Sequence, residues 1–275
     1  MPIREFSRMS HEGFKVYGKE WSVKSPKAVI CLVHGLGEHC NRYNHFAEFF
    51  NQNNIGVLAF DLPGHGRTEN KPGHGSLDMF LAEVAQLLAE AKQRYPNVPV
   101  FLYGHSMGGN IVLNYTLRRN PVINGVIASG PWIRLPKPPP FLIVFLGRLL
   151  SKITPQLVLA TELDGTKVSR DPEVVKAYLN DPLVHAKASA LMGATMMDAA
   201  KWLDNYSGKM PVPTLIMHGD ADELTSVEGS RAFAARVSGD VTMKVWPGLY
   251  HEIHNEPEKQ QVFEYTLNWI KTHLG

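Results

Sequence analysis

Gly104-His105-Ser106-Met107-Gly108 sets a serine between two glycines, directly after the apolar run Val100 to Tyr103 and directly before a stretch of helical period from about Gly109. A G-x-S-x-G pentapeptide that turns a strand straight into a helix admits few architectures. The serine needs a sharp, strained corner, and the chain on either side passes so close that only glycine fits. Such a corner thrusts the hydroxyl into the open and aims the first amides of the following helix at it. A phosphate-binding loop would need a lysine and a second hydroxyl after the last glycine; Asn110 and Ile111 stand there instead.

The rest of the chain supplies the frame this corner requires. Short β-branched and apolar runs at Ala28 to Val33, Ile55 to Phe60, Val100 to Tyr103, Val122 to Ala128, Thr214 to Met217 and Val241 to Trp246 read as buried strands. Helical periods lie between them at Tyr43 to Phe50, Leu77 to Ala91 and Asn110 to Leu117. Alternating strands and helices predict a mostly parallel sheet covered on both faces, with ligands at the carboxyl ends of its strands. The segment Phe14 to Trp21 is expected to add an antiparallel edge hairpin. With the serine corner in place, the fold class is α/β, of the α/β-hydrolase type. The alternation stops after Ser129, and no convincing strand appears until Pro211 to Pro213. Residues 131–206 are therefore expected to form an inserted helical cap, and residues 1–130 and 207–275 a discontinuous core.

Composition narrows the setting. A chain of 275 residues with 44% apolar side chains can bury a large core and an added subdomain. The 28 basic and 26 acidic residues are mixed along it, with no block that suits nucleic acid. Met1 to Lys19 shows no apolar leader segment, so a cytoplasmic location is expected. Cys31 and Cys40, the only cysteines, are read as free thiols. The longest apolar stretch, Phe141 to Leu146 continued by Leu149 and Leu150, is about half of what a helix needs to cross a bilayer.

A serine hydroxyl is a weak nucleophile at neutral pH and needs a histidine base oriented by a carboxylate. In this architecture the order along the chain is serine, acid, histidine. Of the late histidines, His273 belongs to the terminal helix, whereas His251 follows the last strand through Pro247-Gly248-Leu249-Tyr250, and is the expected base. His254 is read as a surface residue in preference to a neighbour that tunes the site. For the acid, Asp222 is favoured over Asp220, which is better placed to cap the turn through its own backbone. A metal on His218, Asp220 and Asp222 lacks a second ligand cluster; no metal and no cofactor are expected.

His34-Gly35-Leu36-Gly37 leaves the first core strand where the second oxyanion amide is drawn in this fold, so the amides of Leu36 and Met107 are the expected oxyanion donors. That run, extended through Glu38-His39 and Arg42-Tyr43, together with Asp61-Leu62-Pro63-Gly64-His65-Gly66, Gly104 to Gly109 and Asn180-Asp181-Pro182-Leu183, resembles the monoacylglycerol lipase family over nearly the whole chain. The resemblance implies a triad of Ser106, Asp222 and His251, oxyanion amides at Leu36 and Met107, and a small polar pocket for a glycerol head from Glu38, His39, Arg42 and Tyr178. Glu38 and Arg42 can equally form an internal ion pair bracing the oxyanion loop. His185, Met192 and Thr225 stand where mammalian members carry cysteines, so sensitivity to thiol-directed inhibitors is expected to be lost.

The implied activity is hydrolysis of a long-chain monoacylglycerol through an acyl-enzyme, with lysophospholipids or general carboxylic esters as alternative substrates and an inactive binding protein as a distant one. Phe141, Leu142, Phe145, Leu146 and Leu149 fall in a helix apolar on every face. Such a helix either lines an acyl tunnel or lies on a lipid surface, which would make the protein peripheral at a membrane.

Overall fold

The computed structural model describes residues 2–161 and 163–274. Its strands are β1 (Ile3–Met9), β2 (Lys15–Trp21), β3 (Ala28–Val33), β4 (Ile55–Phe60), β5 (Val100–His105), β6 (Gly125–Ser129), β7 (Val158–Ala160), β8 (Lys187–Ser189), β9 (Thr214–Gly219) and β10 (Val241–Trp246). Its α-helices are α1 (Asn44–Gln52), α2 (Leu77–Arg94), α3 (Met107–Arg119), α4 (Phe141–Ile153), α5 (Pro172–Asn180), α6 (Ala190–Asn205), α7 (Val227–Arg236) and α8 (Lys259–Thr272).

Eight strands form one sheet in the order β1-β2-β4-β3-β5-β6-β9-β10. From β4 to β10 every neighbouring pair is parallel, while β1 and β2 pair antiparallel with each other and β2 pairs antiparallel with β4. The strand order reverses between β3 and β5, and this switch point is where parallel sheets of this kind hold ligands. Side chains alternate between two apolar layers. On one face Ile30, Leu32 and Tyr103 meet Phe46 and Phe50 of α1 and Phe263 of α8. On the other, Cys31, Val33 and Leu102 meet Phe80 and Val84 of α2 and Ile111 of α3.

Three sequence expectations change. The edge hairpin needs a strand the sequence reading left out, Ile3–Met9, whose frequent charges masked its alternation. The strand expected from Val122 starts only at Gly125, and Val122 is fully exposed. The segment between β6 and β9 is not strand-free: β7 and β8 pair antiparallel, but three residues each are too few to carry a period-two signal. Within it, Met192, Met196 and Leu203 of α6 lie in the same apolar cluster as residues of α2 and α3.

Candidate active site

Ser106 follows β5 with φ 55° and ψ −116°, left-handed backbone that a side-chain-bearing residue rarely adopts. Strain of this kind costs about 1 to 3 kcal/mol and persists only where the surroundings over-determine it. Here the Ser106 amide donates to Ser129 O at 2.9 Å, and its carbonyl accepts from the amides of Asn110 and Trp132, each at 3.0 Å. A Cβ on Gly104 would lie 2.3 Å from Gly108 O, and one on Gly108 would lie 2.2 Å from Val33 O, so neither glycine tolerates a side chain. Ser106 occupies the N-cap of α3, yet its hydroxyl makes no capping bond and remains available to the site.

Asp222 and His251 leave the carboxyl ends of the neighbouring strands β9 and β10. His251 Nδ1 lies 2.7 Å from Asp222 Oδ2, and the Asp222 side chain is wholly buried. Asp222 Oδ1 accepts from the amides of Leu224 at 2.7 Å and Thr225 at 2.9 Å. Burial works against charge on both groups and is outweighed by their attraction. The carboxyl is held well below the usual carboxylate range, and the imidazole is raised above its ordinary value. Asp220 is exposed and accepts from the Gly248 amide at 2.6 Å. It caps the neighbouring loop rather than its own turn; it is Asp222 that holds the local amides.

Leu36 and Met107 line the cavity onto which Ser106 opens, and their amides bond to no group among the described residues. The loop before Leu36 is fixed by Glu38, whose Oε1 accepts from the Gly35 amide at 2.6 Å and from Tyr43 OH at 2.8 Å. Arg42 Nη1 reaches Glu38 Oε2 at 2.8 Å, while its two terminal nitrogens grip Glu252 at 2.6 and 2.7 Å. Burial raises the Glu252 carboxyl, but this guanidinium fork prevails and holds it at about 2. Arg42 also stacks 4.6 Å above the Tyr178 ring. The ion pair is thus a brace between the loop that follows β3 and the loop that follows β10.

The four residues assigned to a head-group pocket do not share one wall. Glu38 and Tyr178 edge a niche of about 10 Å³ beside Ser106 and His251, with room for one water or hydroxyl and not a glycerol. His39, bonded to Asp181 at 2.9 Å, and Arg42 instead edge a separate depression with His45 and Asn255.

The cavity next to Ser106, of about 520 Å³, is also lined by Asp222 and His251, and its interior is apolar, with Trp132, Leu135, Leu163, Met192, Met196 and Met197. A shallower concavity of about 560 Å³ lies over α5, away from Ser106, and has none of these groups. Phe141, Leu142, Phe145, Leu146 and Leu149 do not line the 520 Å³ cavity. They are exposed, Phe141 by 83% and Phe145 by 53%, because α4 turns Val144, Gly147, Leu150 and Ser151 toward the protein. No described helix is long and apolar enough to cross a membrane.

A family model described as serine aminopeptidase, S33, matches residues 24–258. A monoacylglycerol lipase of Mycolicibacterium smegmatis is 36% identical to the chain over 95% of each protein. The chain belongs to the monoacylglycerol lipase family. The crystal structure of the Paleococcus ferrophilus monoacylglycerol lipase superposes with a TM-score of 0.87 at 34% identity, covering 94% of this chain and 99% of that one. A soluble variant of the Saccharomyces cerevisiae monoglyceride lipase, solved with a substrate analog, gives 0.86 at 25% identity, covering 99% and 96%.

In this family member the site holds residues that sequence reasoning missed or misplaced. His254 is fully buried rather than on the surface: it stacks on Tyr43 at 4.8 Å, and its ring meets His105 at 4.7 Å. Burial drives it well below the ordinary imidazole value and His105 to about 3, so both rings are neutral. The apolar neighbours that bury His254 come from distant segments, so no local pattern marks it. Glu252 was passed over although it adjoins the base, because its partner Arg42 lies 210 positions away. Thr225 Oγ1 sits 2.9 Å from Asp222 Oδ2, and His218 Nε2 sits 3.0 Å from the same atom. Among the described residues no cluster of three ligand-type side chains suits a metal ion.

Proposed function

We propose that the protein hydrolyses long-chain monoacylglycerols to free fatty acid and glycerol through an acyl-enzyme. The observation that carries this reading is that the bonded His251–Asp222 pair and the Ser106 hydroxyl open onto one apolar cavity. Ser106 Oγ attacks the ester carbonyl and passes its proton to His251 Nε2, while Asp222 orients the ring and stabilises the imidazolium. The developing oxyanion accepts from the amides of Leu36 and Met107. The imidazolium then protonates the departing glycerol oxygen. Water, deprotonated by the same ring, releases the fatty acid.

The acyl chain lies along Met192, Met196 and Met197, whose flexible thioethers adapt to chain shape. The niche edged by Glu38 and Tyr178 admits one hydroxyl, so the glycerol head stays on the cavity side of it, and His39 and Arg42 hold that wall from behind. Residues 131–206 serve as the cap. The exposed apolar face of α4 rests on a lipid surface, from which substrate enters.

The test is a substrate panel of mono-, di- and triacylglycerols, lysophosphatidylcholine and short esters. Long-chain monoacylglycerols give the highest kcat/KM, Ser106→Ala loses at least about 10⁴-fold, and the acid limb of the pH profile lies above the ordinary imidazole value of about 6.5. Gly193 lines the cavity from α6, and an added Cβ there meets open space. Gly193→Leu therefore lowers kcat/KM about 10-fold for long chains only, and raises Tm by replacing a glycine in the first turn of α6. A preference for lysophosphatidylcholine, or activity surviving in Ser106→Ala, contradicts the proposal.

A further inference from the structure

Sequence reasoning considered His218 only as a metal ligand, yet the fold gives it a different partner. It stands near the end of β9, wholly buried, with Nε2 3.0 Å from Asp222 Oδ2 and Nδ1 2.8 Å from Ser230 Oγ on α7. The same Oδ2 receives His251 Nδ1 at 2.7 Å and Thr225 Oγ1 at 2.9 Å. One carboxylate oxygen therefore lies between two imidazoles, only one of which lines the cavity with Ser106.

An ionised carboxylate only accepts, so His218 must carry its proton on Nε2 to face it. Its Nδ1 is left to pair with the Ser230 hydroxyl. Ser230 is fully buried, and the His218 ring is the only side-chain partner of its hydroxyl among the described residues. We propose that Ser230 and His218 form a second orienting pair on the side of Asp222 away from Ser106, which fixes the carboxylate so that His251 is held in its productive tautomer. The proposal rests on the reading of Ser106, Asp222 and His251 as the acyl-transfer machinery; His218 and Ser230 touch no substrate and are positioning residues.

The physical consequence concerns both geometry and charge. With Oδ1 held by the Leu224 and Thr225 amides and Oδ2 by the two imidazoles, and with the Thr225 hydroxyl shared between Oδ2 and Gly130 O, the carboxylate has little freedom to rotate, and its negative charge is spread over these donors. Removing the His218 donor loosens the plane that aims the His251 ring. It also concentrates charge on Oδ2, which stabilises the His251 imidazolium and raises the pH at which the base becomes available. The other titratable groups facing this pair are His105 from the end of β5 and Glu252 beside His251, with Arg42 and Glu38 one layer further out.

The experiment measures kcat, KM and the pH profile of monoacylglycerol hydrolysis for His218→Leu, His218→Gln and Ser230→Ala, beside wild type and Ser106→Ala. His218→Leu should lose roughly 10-fold to 100-fold in kcat, the scale of a misaimed catalytic group, with KM unchanged and the acid limb moved to higher pH. His218→Gln returns an N–H donor at similar reach and should restore kcat to within about 3-fold and return the acid limb to its wild-type position. Ser230→Ala, a smaller change that spares the fold if His218→Leu does not, should lower kcat several-fold and move the limb the same way. The proposal is overturned if His218→Leu or Ser230→Ala keeps wild-type kcat and pH profile, or if His218→Gln fails as badly as His218→Leu. Activity retained by Ser106→Ala would instead overturn the triad reading itself.

Discussion

The polar wall behind Ser106 and the helix α4 above it are opposites in construction. Behind the serine, charged groups are buried and each has partners: Glu38 and Glu252 share the Arg42 guanidinium, Glu38 also accepts from the Gly35 amide and Tyr43 OH, and Asp222 is held by two amides and two imidazoles. In α4, large apolar side chains face outward with nothing over them, and no residue of the helix is buried. A buried charge is tolerated only when paired, so the polar wall is rigid by necessity. An exposed apolar face is tolerated when something other than water covers it in use. The proposed function therefore puts catalytic geometry and substrate capture in separate parts of the chain, and substitutions should separate them.

The largest effect falls on the polar wall. Arg42→Met leaves the Glu38 and Glu252 carboxylates buried without a counter-charge, and should destabilise by about 3 to 5 kcal/mol, a fall in Tm on the order of 10 °C by calorimetry. Activity should fall with it, because Glu38 no longer fixes the Gly35 amide. A Tm within about 2 °C of wild type would show that this wall does not brace the fold. The smallest stability effect falls on α4. Phe141→Ser with Phe145→Ser removes two largely exposed rings that stack on each other, so Tm should move by less than about 2 °C, while co-sedimentation with phosphatidylcholine vesicles is lost. Unchanged sedimentation would break the contrast drawn between the two regions.

The same contrast governs what could be read from the sequence. The elbow was legible because its G-x-S-x-G spacing is contiguous in the chain, although the close approach that excludes a side chain at Gly108 comes from Val33 and His34 of a distant strand end. The parallel strands were legible because burial on both faces writes continuous apolar runs such as Val29 to Val33. His251 and Asp222 followed from their place after late strands. Glu252, His254 and His218 were not legible as site residues, since each takes its meaning from partners brought together by the sheet. The role of α4 was narrowed only by structure: periodicity shows that a helix is apolar all round, but which face meets the protein depends on where α6 runs.

The central claim is that Ser106 is the nucleophile that carries the acyl group. Reaction with a long-chain fluorophosphonate followed by intact-mass and peptide mapping tests it most directly. The account predicts one adduct, on Ser106, slowed by competing monoacylglycerol and nearly abolished in His251→Ala. An adduct on another residue, or labelling of Ser106 at the same rate in His251→Ala, would contradict it.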